Sequence, residues 1–251
     1  MKLVLAYSKR TLHSLMFWIA LAGVIAITVF GMTQEDSNTV LMSFDIMLDL
    51  STYRKFILLF AMLPFGTVYC REWNEKLAIS VMARIPVKKH LRAYIILQFS
   101  SAFLITFIGL WISIGLLRIG KPLHIDDGNY YEGCFNELIS LNKPITYLLF
   151  RSFHYSISIA AWSMSGLAMS SVFVDPYLAT IAPLVFSYGI ELITIESSLP
   201  NLWYLSLSYT DFSKKPAVSS AYIIFVFLLI SFIFALVFYY LAKRRAHNEI
   251  H

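Results

Sequence analysis

Charged residues are scarce in this chain. Asp, Glu, Lys and Arg make up 14% of its 251 residues, whereas soluble domains carry about 25%. Cysteine occurs twice, and glycine and proline occur ten and eight times. These low counts exclude a disordered chain, a collagen-like repeat and a disulfide-dense scaffold. The chain is instead 58% hydrophobic and 16% aromatic, with a mean hydropathy of +0.68, which predicts an all-α polytopic membrane protein.

Sequence signatures of nucleotide-binding and hydrolytic sites are missing as well. The chain has no phosphate-binding glycine-rich loop, no His-Glu-x-x-His pair and no Gly-x-Ser-x-Gly turn. Its six histidines lack the spacing of metal ligands. Glu191 and Glu196 are five residues apart, about 140° around a helix, so they do not share a face for acid–base chemistry. We therefore expect that this chain alone is not an enzyme and binds no cofactor and no nucleic acid.

Six apolar blocks approach the length of about 20 residues that one helical crossing requires. We expect them to form spans at 12–32, 56–70, 93–117, 146–170, 178–196 and 218–242. The second block is short and contains Pro64 and Gly66, and a buried or interfacial segment there would leave five crossings. Asp175 is a predicted N-cap and Pro176 a predicted first residue of the fifth helix. The short turn before them makes spans four and five an antiparallel hairpin.

Basic residues are unevenly distributed between the two sides of this topology. With six spans, the side that holds both termini carries twelve of the twenty basic residues and four acidic ones. The positive-inside rule makes that side cytoplasmic. We therefore expect cytoplasmic termini, with outer loops at 33–55, 118–145 and 197–217. The overall charge of +5 reflects this asymmetry.

The cytoplasmic segment 71–92 carries a helical pattern. Apolar residues at 73, 77, 78, 81, 82 and 85 predict an amphipathic helix over 71–85 along the membrane interface. Pro86 is expected to end it, and the basic cluster at 88–92 would lie at the headgroup level. Two interpretations remain open from the residues alone: a plain interfacial anchor, or a docking surface for a cytoplasmic partner.

The same segment resembles the cytoplasmic loop of the type-2 ATP-binding-cassette permeases, which are bacterial export subunits with six spans. Their pattern is an acidic residue at the end of the second span, a short helix, and a proline followed by small and basic residues. Glu72, the helix 73–85 and Pro86 to Lys89 match this order. Lys76-Leu77-Ala78 stands where family members commonly have Gly-Thr.

The resemblance implies a function and a set of partners. Residues 72–84 would be the coupling helix that docks in a separate ATPase subunit, which binds ATP and magnesium. A second permease copy or a sister permease would complete the complex in the bacterial plasma membrane. The coupling residues implied are Arg71, Glu72, Trp73, Glu75, Lys76, Leu77, Val81, Arg84 and Pro86. Trp73 and Leu77 are expected to pin this helix.

Ionisable residues inside the spans are costly in lipid and are therefore functional candidates. Arg151 and His154 lie in the fourth block and Glu191 in the fifth. We expect Arg151 and Glu191 to pair across the hairpin. The many small residues of the fourth block predict close helix packing.

The outer loops also carry patterns. Residues 33–55 predict an amphipathic helix with Asp45 and Asp49 as an acidic stripe. Residues 197–217 are rich in aromatic side chains, typical of an interface belt or a re-entrant segment. Aromatic and Met residues in the spans suggest an amphipathic cargo, lipid-like or peptide. Two other function classes are an ATP-independent secondary transporter or channel, and a non-transporting scaffold or sensor.

Overall fold

A computed structural model describes residues 2–34, 37–49, 52–82, 84–125, 135–196 and 216–250. Its described residues form helices and turns only, as the sequence predicts. The helices are α1 (Lys2–Leu12), α2 (Leu15–Thr33), α3 (Val40–Asp49), a 3-10 turn (Thr52–Phe56), α4 (Ile57–Met62), α5 (Gly66–Asn74), α6 (Leu77–Met82), α7 (Val87–Leu117), α8 (Asn136–Ser140), α9 (Pro144–Val172), α10 (Pro176–Glu196) and α11 (Pro216–Ile250).

Several of these helices are long and apolar enough to cross a membrane. Within the described residues, three pass this test: Leu15–Thr33, Val87–Leu117 and Ile224–Glu249. The pair Tyr53–Met62 and Gly66–Asn74 passes as a single span broken by a 41° bend. Pro64 lies in this break, since a proline cannot continue the hydrogen-bond ladder. The chain is therefore a helical membrane protein with three or four span candidates by length and composition.

Helix α9 is the centre of the bundle and packs against α7, α10 and α11. Its seven serines make it less apolar than the candidate spans, but most of its residues are buried within the protein, and six of the seven hydroxyls donate to a backbone carbonyl three or four residues earlier. Ser163 Oγ donates to Ala160 O over 2.7 Å. A Cβ atom on Gly166 would lie 2.4 Å from Ala179 O, so α9 and α10 approach as closely as small residues allow.

Different parts of the chain meet at the two ends of the bundle. At one end, which we call the corner end, Asn74 Nδ2 donates to Val174 O over 3.3 Å and Arg245 Nη2 donates to Val172 O over 3.1 Å. The connection between α5 and α6, the turn between α9 and α10 and the last turns of α11 therefore lie together at this end. At the opposite end, the α3 end, Val40 N donates to Pro122 O over 3.0 Å.

Local signals explain where several helices begin. Asp175 Oδ1 accepts from Tyr177 N over 2.7 Å and caps α10, which confirms the predicted N-cap. Ser14 caps α2 in the same way, accepting from Phe17 N over 3.3 Å. The separate helix α1 before it was not predicted from the basic N-terminal residues.

Candidate functional site: the corner between α5 and α6

The predicted single helix over 71–85 is wrong, because the structure breaks it in two. Helix α5 ends at Asn74, and α6 runs from Leu77 to Met82. Lys76 lies between them in the left-handed region, with φ at 57°. A residue with this backbone cannot continue a right-handed helix. The result is a tight corner, which we define as residues 71–86.

The basic cluster after Pro86 also differs from the prediction. Helix α7 begins at Val87, directly after Pro86, whose φ of −54° suits a helix start. Lys88, Lys89 and Arg92 therefore belong to the first turns of α7 and not to a loop. The corner is held between two long elements, the broken helix α4–α5 and the 31-residue helix α7.

Burial divides the corner residues into two faces. Trp73, Ala78 and Met82 are buried, and Val81 is half-buried. Leu77, predicted to pin the helix, is instead 44% exposed. Leu77 directly follows the break at Lys76. Because the backbone turns at this break, Ala78 faces the core instead of Leu77. The exposed face consists of Arg71, Asn74, Glu75, Lys76, Leu77, Ser80, Arg84 and Pro86.

Glu72, one of the coupling residues implied by the resemblance, is an internal residue and not part of the exposed face. It is 2% exposed. Its Oε1 accepts from Arg10 Nη1 over 3.1 Å, and its Oε2 accepts from the hydroxyl of Tyr94. Buried carboxylates need a partner charge and hydrogen bonds, and α1 and α7 supply both. Glu72 therefore joins α1, α5 and α7 at the corner end.

Aromatic side chains surround this carboxylate. Tyr94 lies at the centre, with ring centroids 5.0 Å from Phe65, 5.6 Å from Tyr69 and 4.9 Å from His90. The hydroxyl of Tyr7 is 3.3 Å from His90 Nδ1. Burial, and secondarily the charge of Glu72, raises the pKa of Tyr7 to about 12. Tyr7 thus remains neutral at physiological pH, and α1 is attached by packing and hydrogen bonds as well as by Arg10.

The exposed face combines both charge signs with one large apolar side chain. Arg71 Nε lies 3.3 Å from Glu75 Oε1, an i,i+4 pair in which both side chains are more than half exposed. Such pairs contribute little to stability, so their groups can form new pairs with another protein at low cost. Leu77 lies in the same corner and offers a hydrophobic contact.

The intramembrane candidates Arg151, His154 and Glu191 lie toward the α3 end. The structure gives Arg151 a different partner from the predicted Glu191: its Nε lies 3.4 Å from Asp45 Oδ1. Tyr147 OH donates to the other carboxylate oxygen of Asp45 over 2.9 Å. His154 packs edge-on against Phe135, with ring centroids 5.2 Å apart.

Glu191 pairs with the start of the broken span. Its Oε2 lies 2.5 Å from Lys55 Nζ and its Oε1 lies 3.6 Å from Arg54 Nη2. The side chains of Lys55 and Arg54 are 16% and 8% exposed, so both are largely buried. These cations turn inward because α10 presents an acid to them within the bundle.

Asp45, Arg54 and Lys55 are functional candidates that the sequence analysis did not identify. The predicted outer helix is present as α3, but the Asp45 side of its stripe faces the bundle and not water. Charged residues of both signs at 45, 54, 55, 151 and 191 were the available signal, although their pairing depends on tertiary structure. The predicted segment 197–217 lies almost wholly outside the described residues.

Comparisons of the chain with models of known protein families, with curated proteins and with solved structures find no match.

Proposed function

We propose that this chain is the membrane-spanning permease subunit of an ATP-driven exporter of the type-2 ATP-binding-cassette class. In this proposal six helices cross the plasma membrane of a bacterium, with both termini and the corner in the cytoplasm. The bent pair α4–α5 is the second crossing, and the serine-rich α9 and its hairpin partner α10 are the fourth and fifth. ATP and magnesium bind to a separate ATPase subunit, and the permease acts with a second copy or a sister permease.

The corner is the observation that carries this proposal. It is a short exposed segment, fixed on one side by buried Trp73 and on the other by α7. Its inner face contacts the bundle through Ala78 and Met82, while Leu77, Lys76 and Arg84 point outward. Movement of a docked ATPase would reach two spans directly through such a segment. The charged residues of the exposed face would select the partner and orient it.

The location of charge supports the proposed orientation. Arg71, Lys76, Arg84, Lys88, Lys89, Lys243 and Arg244 are exposed residues of the corner end or its adjoining helices. Cytoplasmic segments next to spans carry an excess of Lys and Arg. The α5–α6 corner, the α9–α10 turn and the last turns of α11 all lie at this same end. The chain must therefore cross the membrane an even number of times between each of these points and the next. The six-span topology combines these two observations with the predicted apolar blocks.

Affinity purification from the native host in mild detergent, followed by mass spectrometry, tests the proposal. We expect a P-loop ATPase to co-elute in stoichiometric amount. The double variant Leu77→Asp/Arg84→Glu should lose it, since both side chains belong to the exposed face. Leu141→Asp, at another exposed apolar position, at the α3 end, should retain it. Recovery of an intact permease dimer with no ATPase would favour an ATP-independent transporter or a scaffold.

A transport assay separates coupling from complex formation. Pro86→Leu alters the start of α7 without touching the buried residues of the corner, because Pro86 itself is exposed. We expect this variant to insert into the membrane and bind the ATPase, but to export less cargo. The cargo class we propose is amphipathic, either lipid-like or peptide.

A further inference from the structure

A cavity of about 480 Å³ opens beside Glu72, Arg10, Tyr94 and the aromatic side chains around them, which we call the Glu72 cluster. It lies between α1, the bend from α4 to α5, and the first turn of α10. Its volume falls within the range of about 300–1,000 Å³ that is typical of small-molecule sites. Met16 of α2 and Tyr177 of α10 line it and are 45% and 79% exposed. The cavity therefore opens toward the outside of the bundle.

The lining changes from apolar to polar along the helix axis. Leu63, Phe65 and Val68 line the part nearest the bend, and Arg71 and Glu75 line the part nearest the corner. At a rise of about 1.5 Å per residue, Arg71 lies about 4.5 Å and Glu75 about 10 Å beyond Val68.

The opposite wall repeats this order. Arg10 lies toward the corner end, and Met16, on the next helix, lines the apolar part. Both walls therefore place charge at one end of the cavity and hydrocarbon at the other. This is the polarity of a molecule with a charged head and an apolar tail.

The rim of the cavity carries two guanidinium groups, those of Arg10 and Arg71. Arg10 pairs with the buried Glu72 and Arg71 pairs with Glu75, so these four side chains together carry no net charge. A phosphate would therefore bind through the guanidinium N–H groups that the two acids leave unused. The side chains of the two arginines are 60% and 67% exposed. Only one nitrogen of Arg10 contacts Glu72, and a guanidinium has five N–H donors. Guanidinium groups match phosphate oxygens in a bidentate arrangement.

We propose that this cavity binds a phospholipid from the surrounding membrane. The phosphate lies at Arg10 and Arg71, and the first part of one acyl chain lies along Leu63, Val68 and Met16. A bound lipid here would contact α1, α5 and α10 together. The inference does not depend on the proposed exporter function, because lipid binding requires neither an ATPase nor a second permease.

Native mass spectrometry of the purified full chain in mild detergent tests this site. Titration with phosphatidylglycerol should give one saturable adduct. Arg71→Gln should weaken binding at least tenfold, since one charge-assisted contact is worth about 1.5 kcal/mol or more. Val68→Trp should also weaken it by filling the apolar part. Lys89→Gln is the matched control, because it removes one charge from an exposed residue at the same end that does not line the cavity.

Two further ligands divide the head from the tail. Diacylglycerol with the same chains lacks the phosphate, and glycerol 3-phosphate lacks the chains; both should bind at least tenfold more weakly than phosphatidylglycerol. If glycerol 3-phosphate binds as tightly as phosphatidylglycerol, the cavity is a site for free phosphate. If diacylglycerol binds as tightly, the cavity is an apolar groove. Either result overturns the proposal. An equal loss in Lys89→Gln and Arg71→Gln would also overturn it, because it would indicate surface charge alone. Arg71 is exposed, so its variant remains informative if Val68→Trp does not fold.

Discussion

The two ends of the bundle neutralise buried acids in different ways. At the α3 end both members of the pair are buried: the side chains of Arg151 and Asp45 are 3% and 11% exposed. At the corner end Glu72 is 2% exposed, but the side chain of its partner Arg10 is 60% exposed. The cation at the corner end comes from a separate helix, α1, and already faces water. This difference indicates a fixed α3 end and a corner end whose contacts can exchange.

Energetics support the same distinction. An ion pair removed from water loses the hydration of both groups, and breaking one member leaves an uncompensated charge. A pair with one hydrated member carries a smaller penalty, because the freed cation returns fully to water. Rearrangement at the α3 end would therefore be much more costly than rearrangement at the corner end. In an exporter, such a difference would place the moving contacts on the side of the ATPase.

The largest expected effect comes from breaking the buried pair at the α3 end. Asp45→Ala leaves Arg151 and Tyr147 without this carboxylate and should lower the free energy of unfolding by about 3–5 kcal/mol. Unfolding in mixed micelles, followed by helicity, measures the change. Glu137→Ala, an exposed acid at the same end, is the control and should change it by less than about 0.5 kcal/mol.

A double variant sharpens this test. Asp45→Leu/Arg151→Met removes both charges and should recover most of the lost stability. If the double variant is as unstable as Asp45→Ala, the effect comes from packing around α3 and the charge argument for this end fails.

A smaller effect is expected at the corner end. Glu72→Gln keeps an acceptor oxygen for only one of Tyr94 and Arg10 and removes the charge, and should lower the free energy of unfolding by about 1.5 kcal/mol. Glu75→Gln, three residues after Glu72 and exposed, is the matched control and should be close to neutral. A loss at Glu72 equal to that at Asp45 would contradict the contrast between the two ends.

The burial of Glu72 also changes which variant can test coupling. Replacing it with lysine would put a second cation beside Arg10 in a buried site, so that variant would report on folding. Leu77 and Arg84 are the better choices, because both are exposed and their substitution leaves the Glu72 cluster intact.

The smallest effect, and one of opposite sign, is expected at the corner itself. Lys76 has a φ of 57°, which costs a non-glycine residue about 1–2 kcal/mol. Lys76→Gly removes this penalty but adds entropy to the unfolded chain, so we expect a gain of up to about 1 kcal/mol. Glu75→Gly, one residue earlier with a φ of −83°, should instead destabilise. A loss in both variants would contradict the assigned break.

The helices were largely predictable because block length and proline positions are local signals. Pro144, Pro176 and Pro216 each stand at the first residue of a helix, and Asp175 caps α10 as expected. Pro64 marked the weak point of the second block, and the structure bends there by 41°. These features depend only on the backbone geometry of a few neighbouring residues, so they can be predicted from the local sequence.

The site was less predictable because it depends on tertiary pairing. Lysine gives no sequence signal for a left-handed backbone, so the break at Lys76 was missed and Leu77 was placed on the wrong face. Glu191 could have paired with any nearby cation, and only the packing of α10 against the broken span selects Lys55 and Arg54. Likewise, the burial of Glu72 depends on α1, a helix whose existence the sequence analysis did not predict.

Site-directed crosslinking in native membranes tests the central claim most directly. A photo-reactive residue at Ser80, exposed on α6, is compared with one at Leu141, exposed at the α3 end. We predict an adduct with a P-loop ATPase from position 80 and none from position 141. An ATPase adduct from position 141, or none from position 80 in a complex that still contains the ATPase, would contradict docking at the corner.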